Sequence, residues 1–153
     1  MIVREPEWEK KNWGRVNHAF YNDSVGVSCL EVKAGHCCSI HRHLFRDNLF
    51  TVQKGIIVVD IIDYESIEWD KDTFSLLPLM ILSRHVLRPG DTLQVPIEVV
   101  HRFNVLEDGY VTELYTPHLA CDRVLMEDID RYNEGGDVDL NCLKKELKKQ
   151  GLL

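Results

Sequence analysis

The chain has 153 residues, 44% of them hydrophobic and 28% charged, as expected for one globular domain with its own core. A formal charge of −7 argues against nucleic acid or an anionic membrane as a partner, and no run approaches the roughly 20 apolar residues of a membrane span. The polar, acidic stretch Met1–Lys11 lacks the character of a secretory signal, and five cysteines without disulfide-framework spacing predict a reducing cytoplasm.

Residues 1–24 read as an N-terminal arm, with Glu5–Lys11 either a short helix or extended. Strand character dominates residues 25–117, the predicted barrel. Val25–Lys33 alternates loosely and stops at the Ala34-Gly35 turn. His36–His43 follows as one strand. Asn48–Lys54 is rich in β-formers and ends at Gly55, and Ile56–Ile62 is a short apolar run suited to a strand buried on both faces. Asp63–Pro78 reads as a long connection, and Leu79–Leu87 resumes the strand pattern. In Arg88-Pro89-Gly90-Asp91 the proline presets φ and the glycine accepts a left-handed conformation, so a turn is expected. Thr92–Val95, Val99–Leu106 and Tyr110–Tyr115 complete the series, separated by turns at Pro96 and at Glu107-Asp108-Gly109. Residues 118–153 form a C-terminal extension: a helical turn or loop at Leu125–Tyr132, a joint at Gly135-Gly136, and a helix over Asn141–Gln150 with Asn141 as N-cap and lysines in its last turns. The fold class is therefore all-β, with short flanking helices. Many short strands with glycine and proline turns mean a sandwich or closed barrel.

The chemistry concentrates in two places. In Gly35-His36-Cys37-Cys38-Ser39-Ile40-His41-Arg42-His43, two histidines stand at i and i+2. Alternate side chains of a strand point to one face, so both enter the same interior. His101 can join them from a distant strand, and three neutral imidazoles converging in a barrel form a divalent-metal site. On a regular strand Cys37 shares that face, while His36 and Cys38 take the other. His18, His36, His85 and His118 default to surface or loop positions, and Cys29, Cys121 and Cys142 to small buried packing. Trp8 and Trp13 suit core or interface packing.

These residues resemble the cupin superfamily, whose first motif reads G-x5-H-x-H-x3,4-E-x6-G. Gly35, His41, His43, Asn48 and Gly55 stand at its spacing, with Asn48 in the glutamate's place. The second motif, G-x5-P-x-G-x2-H-x3-N, is matched by Gly90, Pro96 and His101, with Glu98 replacing its inner glycine and Asn104 one residue early. The resemblance implies a double-stranded β-helix, the cupin jelly-roll barrel. Further segments resemble the cupin-type mannose-6-phosphate isomerases: Trp13-Gly14, Ser39, Arg46 and Glu127-Asp128-Ile129-Asp130-Arg131.

Carried over residue by residue, the resemblance implies a divalent ion (zinc, manganese, iron or nickel) held by His41, His43, His101 and Asn48. An amide oxygen is an uncharged ligand, so the ion keeps its full charge and favours an anionic small-molecule substrate. Asp47 is one residue off and faces away unless the strand bulges. Arg46 is a candidate for binding a phosphate or carboxylate at the barrel mouth. Glu98, before His101, and Glu113, on the last strand, are candidate catalytic carboxylates. Three functions follow. The first is a sugar-phosphate isomerase or epimerase, in which the metal polarises a carbonyl and a carboxylate or histidine moves the proton. The second is a three-histidine Fe(II) dioxygenase of a small anionic substrate. The third is a non-catalytic barrel that binds a small molecule or a protein. A homodimer is expected.

Overall fold

The computed structural model describes residues 5–63, 69–70, 75–76, 81–116, 123–125 and 135–153. Thirteen strands and one helix occur among them: β1 Trp8–Lys11, β2 Gly14–Tyr21, β3 Gly26–Val32, β4 His36–Cys37, β5 His41–His43, β6 Asp47–Ile62, β7 Trp69–Asp70, β8 Ser75–Leu76, β9 Ile81–Leu87, β10 Thr92–Val95, β11 His101–Thr116, β12 Arg123–Leu125, β13 Gly136–Asp137 and α1 Leu140–Lys149. Apart from the small β7–β8 pair, all strands join one antiparallel sheet. The all-β expectation holds.

The spine of the sheet is the pairing of the two 16-residue strands β6 and β11. Each was expected as two strands broken by a turn, at Gly55 and at Glu107–Gly109. Instead the two glycine-bearing segments face each other, and the register shifts between Val105 and Val111. Gly55 has φ 81°, and a Cβ on Gly109 would lie 1.9 Å from the Lys54 carbonyl oxygen. These residues bulge and bend a continuous ribbon rather than reversing it. The bend lets the inner part of the ribbon pair with β9 and the outer part with β10 and β3, which rolls the sheet up.

One face of the rolled sheet carries the core: Val16, Leu30, Val32, Phe50, Val52, Ile57, Val59, Leu87, Val95, Phe103, Val105 and Val111. The opposite face of β6 presents Val58, which packs with Leu106, Leu143 and Leu147 beneath α1. Residues 56–62 are thus buried on both sides, as their apolar run predicts. Asp60 follows Val58 on that outer face, fully buried, and is held by Arg84 (Nε–Oδ1 3.0 Å), Arg102 (Nε–Oδ2 3.3 Å) and Asn104 (Nδ2–Oδ2 2.9 Å).

The ends differ from expectation. Residues 8–21 are not an arm or a helix: β1 pairs with β2, and β2 pairs with β3, so the alternation of Val16 and its neighbours is that of a sheet strand. The C-terminal helix is present, but Asp139 caps it in place of Asn141. Its carboxylate accepts the Asn141 and Cys142 amide hydrogens at 3.0 Å each. Most of Leu125–Tyr132, Glu127–Arg131, His118 and Cys121 lie outside the described residues.

Candidate metal centre

β5 places His41 and His43 on one buried face, and His101 opens β11 directly opposite His41 in register. The alternation read from the sequence therefore delivers all three imidazoles to one point. Ring centroids are 4.5 Å apart for His41–His101, 5.0 Å for His41–His43 and 5.8 Å for His43–His101. One nitrogen from each ring lies within 4.8 Å of the others.

Backbone carbonyls set the tautomers of two rings. His41 Nδ1 is 2.9 Å from the Ser39 carbonyl oxygen, and His101 Nδ1 is 2.9 Å from that of Val99. A carbonyl only accepts, so both Nδ1 atoms carry the hydrogen, which makes Nε2 the ligand atom of each ring. His43 differs. Its Nδ1 accepts from Arg46 Nε at 3.0 Å, and Arg46 Nη2 lies 3.3 Å from His43 Nε2. The guanidinium rests on the Tyr115 ring, 4.3 Å from its centroid.

Asn48 is fully buried on the same face of β6 as Phe50, whose ring centroid lies 6.2 Å from that of His101. Neither its Oδ1 nor its Nδ2 has a hydrogen-bond partner among the described residues. An orphaned buried amide costs about 1–3 kcal/mol, so an oxygen donor here without a protein partner fits a bound ion. Two preset imidazoles, a third imidazole and this amide are residues that could hold a divalent metal. Asp47 faces away, as its place in the alternation predicts: its carboxylate accepts from the Ile97 amide at 3.0 Å and from Gln94 Nε2 at 3.3 Å.

A cavity of about 470 Å³ opens beside this cluster, and its walls include His41, Ser39, Cys38, Arg46, Phe50 and Glu113. Strand register explains the far wall. His18, Ser28, Glu113 and Phe50 are successive partners across β2, β3, β11 and β6, one row on the inner face. Glu113 thus lies inside, as its candidate role requires. Glu98 does not fit a catalytic carboxylate: it is exposed, in a turn at φ 62°. Its backbone matters more, because its amide donates to the His43 carbonyl at 2.7 Å and ties that turn to β5.

Several further residues line the cavity, and Trp13 keeps its expected packing role while doing so. Trp13 lines it and packs edge-on against Phe103, with centroids 5.2 Å apart. His18, exposed as expected, stands at the cavity's edge with Nδ1 2.9 Å from Ser28 Oγ. Recognising β2 as a strand would have placed His18 with Val16 on the inner face. Glu9 stands at the rim, and a hydrogen bond from Lys11 holds its carboxyl below the usual range, against the opposing effect of burial. The two cysteines exchange roles. Cys38 lines the cavity and its sulfur accepts the Phe103 amide at 3.1 Å, whereas Cys37 pairs with Asn104 on the outer face. The cause is a break in strand structure at residues 38–40, which resets the alternation before His41.

Solved structures match this architecture. KdgF from Halomonas sp. superposes with a TM-score of 0.58 at 18% identity, covering 74% of this chain and 88% of that one. An RmlC-like cupin from Shewanella frigidimarina gives 0.57 at 17% identity, covering 76% and 87%. The capsular polysaccharide assembling protein CapF from Staphylococcus aureus gives 0.61 at 14%, covering 80% of this chain and 34% of CapF. The fold is that of the cupins. No protein-family model matches the chain, and no curated protein matches it in sequence. Of the three clustered histidines, His41 lines the cavity, and Asn48 stands at the position where the first cupin motif has glutamate. Among the described residues, no helix is long and apolar enough to cross a membrane.

Proposed function

We propose that this cupin is a metal-dependent enzyme acting on an anionic carbohydrate, with an isomerase- or epimerase-type proton transfer next to a carbonyl. The observation that carries the reading is a cluster of three histidines beside a cavity whose walls include His41, Arg46 and Glu113, with the buried Asn48 amide unpartnered among the described residues. A cavity of about 470 Å³ suits a monosaccharide derivative. CapF, a structural neighbour, assembles capsular polysaccharide, which supports a carbohydrate substrate.

His41, His43, His101 and Asn48 would hold the ion, and a divalent charge there supplies polarisation of a substrate carbonyl. The remaining work falls to side chains. Arg46 offers a planar fork of donors to a phosphate or carboxylate. Trp13 offers an aromatic face to the apolar side of a sugar ring. Glu113 would take a proton from the carbon beside the carbonyl and return it to the neighbouring position. His18, whose Nδ1 is held by Ser28, offers a hydrogen bond to a hydroxyl group.

The neutral donor set also supports the iron-dependent dioxygenase reading, because three histidines with open positions suit Fe(II). Metal content and activity separate the two. Purified chain is analysed for metal and offered a set of phosphorylated sugars, with product followed by proton NMR in D2O. Deuterium incorporation beside the carbonyl, lost by at least 100-fold in Glu113→Gln, supports the isomerase. Oxygen uptake with Fe(II) and no exchange replaces it with the dioxygenase. A barrel that binds sugar without turnover leaves a binding protein.

A further inference from the structure

His43 is already engaged by a cation. Arg46 Nε donates to its Nδ1 at 3.0 Å, and Nη2 approaches its Nε2 to 3.3 Å. Both ring nitrogens of the third ligand thus lie against one guanidinium, while His41 and His101 turn their Nδ1 atoms to backbone carbonyls. A divalent ion on His43 would stand beside that fixed positive charge, and like charges a few ångströms apart in a buried site repel strongly. For the ion to bind at full strength, Arg46 must leave His43.

The surroundings give it somewhere to go. Arg46 lines the cavity, and the Tyr115 ring lies under its guanidinium plane. An oxyanion in the cavity offers a bidentate partner of opposite charge, which a neutral imidazole cannot match. The chain bears a net charge of −7, yet Arg46 shares the cavity wall with Lys10 and Lys11, a local concentration of cations that selects an anion.

We propose that Arg46 is a latch on the metal centre that an oxyanion releases, so that metal and oxyanion bind cooperatively. Without the anion the guanidinium covers His43 and weakens the ion's hold. With the anion, Arg46 turns to it, His43 is freed, and the ion and anion attract each other. By linkage the ion tightens anion binding by the same factor. A substrate with a phosphate or carboxylate thereby completes the site that acts on it, whereas a neutral sugar does not. This inference rests on the metal-binding reading.

Calorimetry measures Ni2+ affinity for the full chain, stripped of metal, as sodium sulfate or sodium acetate replaces sodium chloride at constant ionic strength. Sulfate stands for a phosphate and acetate for a carboxylate, and the stronger of the two names the anion. The latch predicts that one of them tightens Ni2+ binding at least fivefold in the wild type. Arg46→Gln should bind Ni2+ at least fivefold more tightly without oxyanion and respond less than twofold to it. A second readout does not depend on the variant's folding. In metal-free wild type labelled with 15N at histidine, the oxyanion should shift the His43 ring nitrogens and leave those of His41 unmoved. Ni2+ binding that ignores the oxyanion, with His43 signals unchanged, overturns the latch and leaves the metal site standing. Weaker Ni2+ binding by folded Arg46→Gln also overturns it. No Ni2+ binding by either protein under any condition overturns the metal reading and the latch together.

Discussion

Asn48 stands where a carboxylate would neutralise half of a bound dication, and its amide is buried with neither polar atom satisfied among the described residues. Such a residue is costly in the metal-free protein and useful only if something enters the site. Asn48→Glu tests that trade. With no ion, a buried carboxylate beside three neutral imidazoles should lower stability by about 2 kcal/mol or more. With an ion, the charged ligand should tighten divalent binding by roughly tenfold or more. Thermal melts with and without Ni2+ read both effects: the gap between the two melting temperatures should widen relative to the wild type. Glu98 is a second residue whose cost is visible. Among the described residues it is the only non-glycine at positive φ, at 62°, where the cupin motif has glycine. A left-handed side chain costs about 1–2 kcal/mol, and glycine gives back about 0.5–1 in chain entropy. Glu98→Gly should therefore raise unfolding stability by about 0.5–1 kcal/mol in denaturant titration. Metal affinity should stay unchanged, because the backbone bond to His43 survives.

At the scale of elements, the legible parts were those where one local rule acts alone. β3, β10 and the C-terminal helix follow their alternation, turn residues and periodicity closely. The histidine triad was legible because period-two spacing on β5 needs only those three residues to be extended. Two kinds of element were not legible. Glycine and acidic turn residues serve bulges as well as reversals, so the sequence around Gly55 and Gly109 looked like chain ends when it is the elbow of one ribbon. The break at residues 38–40 carries no punctuating residue, so Cys37 and Cys38 were given each other's faces. The Arg46–His43 contact arises from the loop between β5 and β6, where no periodicity constrains direction. The elbow can be tested directly. A Cβ at Gly109 meets the Lys54 carbonyl at 1.9 Å, which is backbone and cannot rotate away. Gly109→Ala should cost about 2–3 kcal/mol, within the range for overpacking. Gly136, where an added Cβ meets nothing within 4 Å, should tolerate the same change with a much smaller loss. Parallel urea titrations of the two variants check the contrast.

For the molecule as a whole, the proposed ion would tie together parts of the chain that are far apart in sequence. His41 and His43 sit on β5, and His101 sits across the sheet on β11, facing His41. An ion bound to all three would clamp this end of the barrel in the folded state alone, since the unfolded chain does not hold the three rings together. Ligand linkage then sets the size of the effect. At a free metal concentration 100 times the dissociation constant, the native state should gain about 2.7 kcal/mol. For a domain of this length that is a rise of roughly 5–10 °C in melting temperature. His101→Ala should abolish the rise while keeping most of the core, because the apolar cluster around Phe50, Val59 and Val105 does not include it. Calorimetric scans of both proteins, with a chelator and with excess Ni2+, give the comparison. A wild-type melting temperature that is the same in chelator and in metal would mean that the three rings hold no ion, and the barrel would then have to act through its cavity alone.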